Sequence, residues 1–296
     1  MLLYYIIFPI FYLLSLLPLR VLYLLSDFIY FIIYYCFGYR KDVVMKNLNI
    51  AFPNKTEKEK KRIAKDFFHL FIDTFIETIK LISISKKEFL SRIEFDGSLI
   101  EQLSSKEQDI QLHSGHFFNY EFMNLAISIY CKNNFLGVYA PLGNKAFNKI
   151  IVDMRSKFGT IMIPNNEFKN NFSNYSKQPY SIGLIADQSP SNPSKAIWTN
   201  FFNKKTAFVR GPEIGSKGNN TAVVMVYINR IKRGYYKIET TLLTTEPKQT
   251  EYGFITQKLI QFIEEKIHQY PENYLWSHKR WKHEYDAEKF SHLLVS

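Results

Sequence analysis

Cysteine is almost missing from this chain: Cys36 and Cys131 are the only two among 296 residues, and no CxxC spacing occurs. That excludes a disulfide framework and gives no support to a structural zinc site, so the body of the protein reads as facing a reducing compartment. Acidic residues are also scarce. With 38 Lys and Arg against 27 Asp and Glu, the formal net charge is +11. Such an excess suits an anionic partner, whether nucleic acid, a phosphorylated lipid, an acidic carrier protein or a membrane face. Beyond residue 50 there is neither an internal repeat nor a low-complexity linker. The length then predicts one large domain with a sizeable core and an appendage.

Charge is absent altogether from residues 1–19, and residues 21–39 hold only Asp27. Two apolar runs close to the ~20 residues a membrane span requires therefore flank Arg20. No basic region precedes them and no small-residue cleavage site follows, which argues against a cleaved signal peptide. Pro9 and Pro18 interrupt the first run, and Arg20 and Asp27 are costly at a bilayer centre. A single span and a shallow helical hairpin in one leaflet both satisfy this pattern; a buried helix pair of a soluble protein is the bland alternative. The division expected is a membrane-anchoring segment at 1–40 and a catalytic domain at 41–296. Lys41, Lys46, Lys55, Lys58, Lys60, Lys61 and Arg62 open the second part and place it on the cytoplasmic side by the positive-inside rule.

What is abundant is aromatic: 17% of the chain is Phe, Tyr or Trp. A capping box, Thr56-Glu57-Lys58-Glu59, opens a long helix with Ile63, Phe67, Leu70, Phe71, Phe75 and Ile79 on one face. His69, Asp73 and Glu77 recur at four-residue spacing on another, the pattern of a solvated face more than of a ligand set. Strands are expected at residues 109–112, 135–139, 159–164 and 180–186, with helices at 118–131, 147–158 and 168–175 between them. Residues 208–217 and 254–268 read as further helices, and 222–228 with 235–241 as a strand pair. The alternation predicts an α/β fold, a central mixed sheet flanked by helices.

Chemistry concentrates at His113-Ser114-Gly115-His116-Phe117-Phe118-Asn119-Tyr120-Glu121, between a strand and a helix. A carboxylate beside an imidazole favours the imidazolium, so the pair can take a proton from an alcohol. On one regular helix His116 and Glu121 point roughly 140° apart. They meet only if His116 lies in the turn and Glu121 in the first helical turns, with Gly115 easing the bend. His113 and His116 share a His-x-x-His spacing, but Ser114 breaks any zinc-protease signature, and no metal is expected. Asp187-Gln188 ends a buried strand, where open sheets hold ligands. The loop at 189–203 carries Trp198, Phe201 and Phe202, which either tuck under the domain or meet an acyl chain or membrane. Near the end, Lys279-Arg280-Trp281-Lys282 interleaves bases with aromatics. That serves single-stranded nucleic acid or a membrane interface alike, and the apolar N-terminus favours the membrane.

Taken in order, the apolar N-terminus, His116-Phe117-Phe118-Asn119-Tyr120-Glu121, Arg155-Ser156-Lys157-Phe158-Gly159, Ala186-Asp187-Gln188, the Phe201-Phe202 loop and residues 274–282 resemble the lipid A biosynthesis acyltransferases. The resemblance runs nearly the whole length. Family members often read His-Phe-Gly-Asn-Trp-Glu where this chain has Phe118 and Tyr120. It implies a glycerolipid-acyltransferase-like fold on the inner membrane, with no cofactor and no nucleic acid. An acyl chain would pass from a thioester, usually on acyl carrier protein, to a hydroxyl of a lipid A precursor. His116 is then the general base and Glu121 its partner. Arg155 and Asn119 become candidates for the oxyanion or a phosphate, and Asp187 and Gln188 shape the site. Arg280, Lys279, Lys282 and Trp281 face phosphates or membrane. The residues alone leave a lysophospholipid or amino-lipid acceptor open, and a membrane scaffold or nucleic-acid binder as the non-enzymatic rival.

Overall fold

The computed structural model describes residues 2–106 and 108–295, the side chains of residues 169 and 171 excepted. Pro18 separates two apolar helices, α1 (Leu2–Leu16) and α2 (Leu19–Phe31). The latter runs on through a wider turn at Ile32–Phe37 and stops at Gly38, whose φ of 60° side chains rarely tolerate. After α3 (Lys41–Ala51), Thr56 caps α4 (Glu57–Leu81) with the box read from the sequence. The Thr56 hydroxyl accepts from Glu59 N–H at 3.3 Å, and Glu59 Oε2 accepts from Thr56 N–H at 2.8 Å.

The sheet is then built in a β-then-α rhythm. Short α5 (Lys86–Leu90), β1 (Ile93–Phe95) and α6 (Ser98–Ser105) lead to β2 (Ile110–Ser114), all five of whose residues are buried. Next come α7 (Tyr120–Tyr130), β3 (Asn134–Tyr139), α8 (Lys145–Arg155), β4 (Ile161–Pro164), α9 (Asn165–Tyr175) and β5 (Tyr180–Ile185). A two-stranded hairpin follows, β6 (Ala196–Phe201) and β7 (Lys204–Val209), then α10 (Gly211–Asn219), β8 (Ala222–Lys232) and β9 (Tyr235–Thr244). The described chain closes with α11 (Phe254–Gln269) and the single turn α12 (Ala287–Phe290).

Seven strands form one mixed, mostly parallel sheet in the order β1-β9-β8-β2-β5-β3-β4, with β8 and β9 antiparallel. The central strands are buried on both faces by helices, β3, β5 and the first half of β8 as largely apolar runs and β2 with Gln111, His113 and Ser114 buried as well. This is the α/β architecture expected from the alternation. Two local readings change. Phe208 belongs to β7, and α10 starts only at Gly211. The region read as a loop at 189–203 contains a strand of the hairpin, and Trp198, Phe201 and Phe202 are buried, so those rings tuck under the domain.

Candidate active site

β2 and β5 are parallel neighbours, with Ser114 paired to Ile185. His116 and Asp187 each lie two residues beyond those partners, so the same offset brings them together past the C-terminal edge of the sheet. His116 Nδ1 is 2.5 Å from Asp187 Oδ1. A carboxylate accepting from Nδ1–H leaves Nε2 as the bare, basic nitrogen. Gln188 Nε2 sits 3.0 Å from it, donating into that lone pair. Burial opposes the charge on Asp187, but the attraction of His116 and its hydrogen bonds, with Arg280 behind, pull the carboxyl down to about 2. It therefore stays ionised at any physiological pH.

Gly115 serves this turn by close approach. A Cβ there would come within 3.0 Å of the Phe117 ring and 3.3 Å of Ile263 on α11. Phe118 N–H donates to Asn273 O at 3.2 Å, and Phe117 forms a β-bridge with Tyr274. The C-terminal segment is thus the wall against which the His116 turn is laid down.

That placement corrects one expectation. Arg280 and Trp281 are buried, at 2% and 7% exposure, and face neither phosphate nor membrane; Lys279 and Lys282 are exposed. Arg280 donates to Ala207 O at 2.8 Å and lies 3.9 Å over the Phe208 ring. Burial lowers its guanidinium to about 10 against the pull of Tyr274 and Asp187, so it remains a cation behind the His116–Asp187 pair. His278 accepts from Ser189 N–H at 3.1 Å, one residue beyond Gln188. Basic and aromatic residues interleave identically in a membrane interface and in a buried wall where an Arg stacks on Phe, so composition does not distinguish the two.

Glu121 is the second correction. Its carboxylate does not reach His116; Arg155 from the end of α8 grips it through Nε at 2.9 Å and Nη2 at 2.6 Å. In the first turn of α7, Glu121 points across to α8 while His116 turns toward β5. Asn119 has both ends of its amide engaged inside the fold. It is fully buried, its Oδ1 caps Glu121 N–H at 3.2 Å and its Nδ2 donates to Glu77 at 3.1 Å. Glu77 also accepts from the hydroxyls of Tyr23 and Tyr236. Asp73, one turn away, binds Ser26, Arg230 and Arg233. Of the α4 stripe that resembled a solvated face, Asp73 and Glu77 are therefore buried and His69 half-buried, because α2 lies on it.

His116, Glu121, Arg155 and Gln188 line one cavity of about 660 Å³. Its inner wall is apolar: Leu112, Ile127, Phe135, Val138, Met162 and Leu184 from the strands and α7. Thr74 and Thr78 of α4 and Asn124 of α7 add polar groups to the lining. A basic imidazole held by a buried carboxylate, at one side of an apolar cavity, defines a site for acyl chemistry on a lipid-like molecule. The chain belongs to the bacterial lipid A biosynthesis acyltransferase family, whose model matches residues 1–283. Membership makes it an acyltransferase of lipid A biosynthesis. A search of curated protein sequences found no match.

Proposed function

We propose that the protein moves a fatty acyl chain from a thioester, carried by acyl carrier protein, to a hydroxyl of a lipid A precursor at the cytoplasmic face of the inner membrane. The observation that carries this reading is the Asp187–His116 pair with Nε2 free of the carboxylate at the cavity wall. The acceptor hydroxyl displaces the Gln188 amide from Nε2 and gives its proton to that nitrogen. Its oxygen attacks the thioester carbonyl carbon, forming a tetrahedral oxyanion. As the C–S bond breaks, the departing thiolate takes the proton back from His116. The ionised Asp187 stabilises the imidazolium between those two events.

Gln188, displaced from Nε2, keeps its amide N–H beside the reacting centre and is the donor best placed for the oxyanion. Arg155, its charge answered by Glu121, fixes the wall between α7 and α8 and positions the acceptor. Glu121 thus acts through Arg155, and His116 draws its electrostatic support from Asp187. The apolar inner wall takes the acyl chain. A net charge of +11 suits an acidic carrier protein as donor.

Mass spectrometry of lipid A from cells with and without the gene tests the assignment. Loss of one acyl chain is expected. An unchanged lipid A profile, with transfer by the purified protein to a lysophospholipid instead, would overturn the acceptor class.

A further inference from the structure

The N-terminal helices pack on the catalytic domain along their length. Lys80 donates to the carbonyls of Ser15 and Leu17 at 3.1 and 3.2 Å, tying the α1–α2 corner to the end of α4. From there α2 runs antiparallel to α4. Tyr23 donates to Glu77 at 2.6 Å, Ser26 to Asp73 at 2.6 Å, Asp27 bonds His69 at 3.0 Å, and the Tyr34 ring meets Phe68. Arg233 of the β8–β9 turn closes the seam, bonding Asp27 and Asp73 at 2.6 Å each. One side of α2 is thus occupied, by these polar pairs together with Leu19 and Leu22, which pack on Ile76 of α4.

The opposite side is bare. Leu24, Phe28 and Phe31 on α2, with Ile6 and Leu13 on α1, are between 55% and 71% exposed. Isolated exposed apolar residues are ordinary, but a continuous face of this kind is not. Cations rim it. Arg20 is exposed beside it, Lys149 lies 5.3 Å from the Tyr4 ring, and Lys41 lies 6.0 Å from the exposed Tyr35 ring.

We infer that α1 and α2 lie in the plane of a bilayer, embedded in one leaflet with anionic headgroups, and do not cross it. Length and polarity both require this. At 1.5 Å per residue the fifteen residues of α1 reach only about 22 Å, short of a ~30 Å hydrocarbon core. The apolar stretch at Leu19–Phe37 is long enough to cross. For α2 to cross, however, Asp73, Glu77, Arg230 and Arg233 would have to follow it into hydrocarbon with α4 and the edge of the sheet, a prohibitive transfer. An amphipathic helix whose polar side is already satisfied by protein presents only its apolar side to lipid, and so lies flat.

The same placement supplies a route for the lipid acceptor, and only this part rests on the proposed acyl transfer. α1 touches both α4 and α8, with Phe11 against Phe147, and those two helices supply Thr74, Phe75, Asn148 and Arg155 to the cavity lining. A lipid moving within the leaflet meets the cavity between α4 and α8 without leaving the membrane.

The test is a depth measurement that needs no acyl donor. In the full chain carrying Cys36→Ser and Cys131→Ser, single cysteines at Ile6, Leu13, Leu24 and Phe31 are labelled with a nitroxide. The protein is then added to vesicles of phosphatidylethanolamine and phosphatidylglycerol. All four labels are expected at similar depth, shallower than the ~15 Å half-thickness of the core. A label at or beyond the midplane, or reduced only by a reagent trapped inside the vesicle, overturns the inference. So does a failure of the native chain to bind vesicles, or a lipid-free dimer that buries the four positions. Leu24→Glu with Phe28→Glu should weaken vesicle binding roughly tenfold or more while far-UV circular dichroism stays unchanged; unchanged binding would count against the face assigned. Acyl transfer is measured separately, so loss of one reading leaves the other standing.

Discussion

His116 and Asp187 stand 71 residues apart in the chain and 2.5 Å apart in space, each two residues past the end of one of two neighbouring parallel strands. Glu121, only five residues from His116, is held by Arg155 instead. The division of labour between these two carboxylates is the first thing to test.

Asp187→Asn should lower turnover by about 10² to 10⁴-fold, because the amide neither fixes the Nδ1–H tautomer nor stabilises the imidazolium. His116→Ala should leave no transfer above background. Steady-state rates on purified protein, with circular dichroism as the control for folding, decide the matter. An Asp187→Asn enzyme as fast as the parent would remove Asp187 from the mechanism.

Glu121 and Arg155 are expected to act as a unit. Removing either leaves a buried or half-buried charge unpaired, at a cost on the order of 3 kcal/mol. The double variant Glu121→Gln with Arg155→Met should therefore be no less stable than the worse single variant. A double-mutant cycle on denaturant midpoints measures this coupling; simple additivity would show that the observed bidentate contact carries no energy.

Acyl-chain length should respond to Gly137. Gly137 and Met162 both line the cavity, and a Cβ built at Gly137 would lie 2.9 Å from Met162 Sδ on the next strand, so a larger side chain there displaces Met162 and takes up cavity space. Gly137→Val is expected to shift a competition between donors toward shorter chains, read by mass spectrometry of the product. A uniform fall for every chain length would assign that part of the cavity another role.

Acid should destabilise the fold above the range where carboxylates titrate. Burial holds His113 down to about 3 and His278 down to about 4, both below the ordinary 6.5. The unfolded chain takes up protons below pH 6.5 that the folded chain refuses, so stability rises with pH across this window and is lost as pH falls. For fully buried His113 the slope approaches roughly 1.4 kcal/mol per pH unit. Urea midpoints between pH 7 and 4.5 should fall less steeply in His113→Gln. An identical slope would mean that His113 charges freely inside the fold.

Glu77 joins α2, β9 and the His116 turn through Tyr23, Tyr236 and Asn119. Glu77→Leu strands two buried donors, Tyr236 and Asn119, and the half-buried Tyr23, and should cost about 3 kcal/mol or more. Thermal unfolding in detergent measures it; a shift of only a fraction of that would mean water already shares those bonds.

By itself the sequence determined the α/β rhythm, the capped helix α4, the strand ends that carry His116 and Asp187, and the apolar N-terminus. All follow from local rules of period, capping and run length, which act within a few residues. Sheet order follows no local rule. That β5 lies beside β2 is a pairing of distant segments, and only that pairing hands His116 to Asp187 and leaves Glu121 to Arg155. A polar stripe on a helix likewise reads the same whether water or another polar helix covers it. Asp73 and Glu77 on α4 looked solvent-facing and Asp27 on α2 looked misplaced, and tertiary packing gave each a partner on the other helix. The C-terminal Arg280 shows the same limit: a cation beside aromatics has one spelling, and only the tertiary structure buries it behind the His116–Asp187 pair.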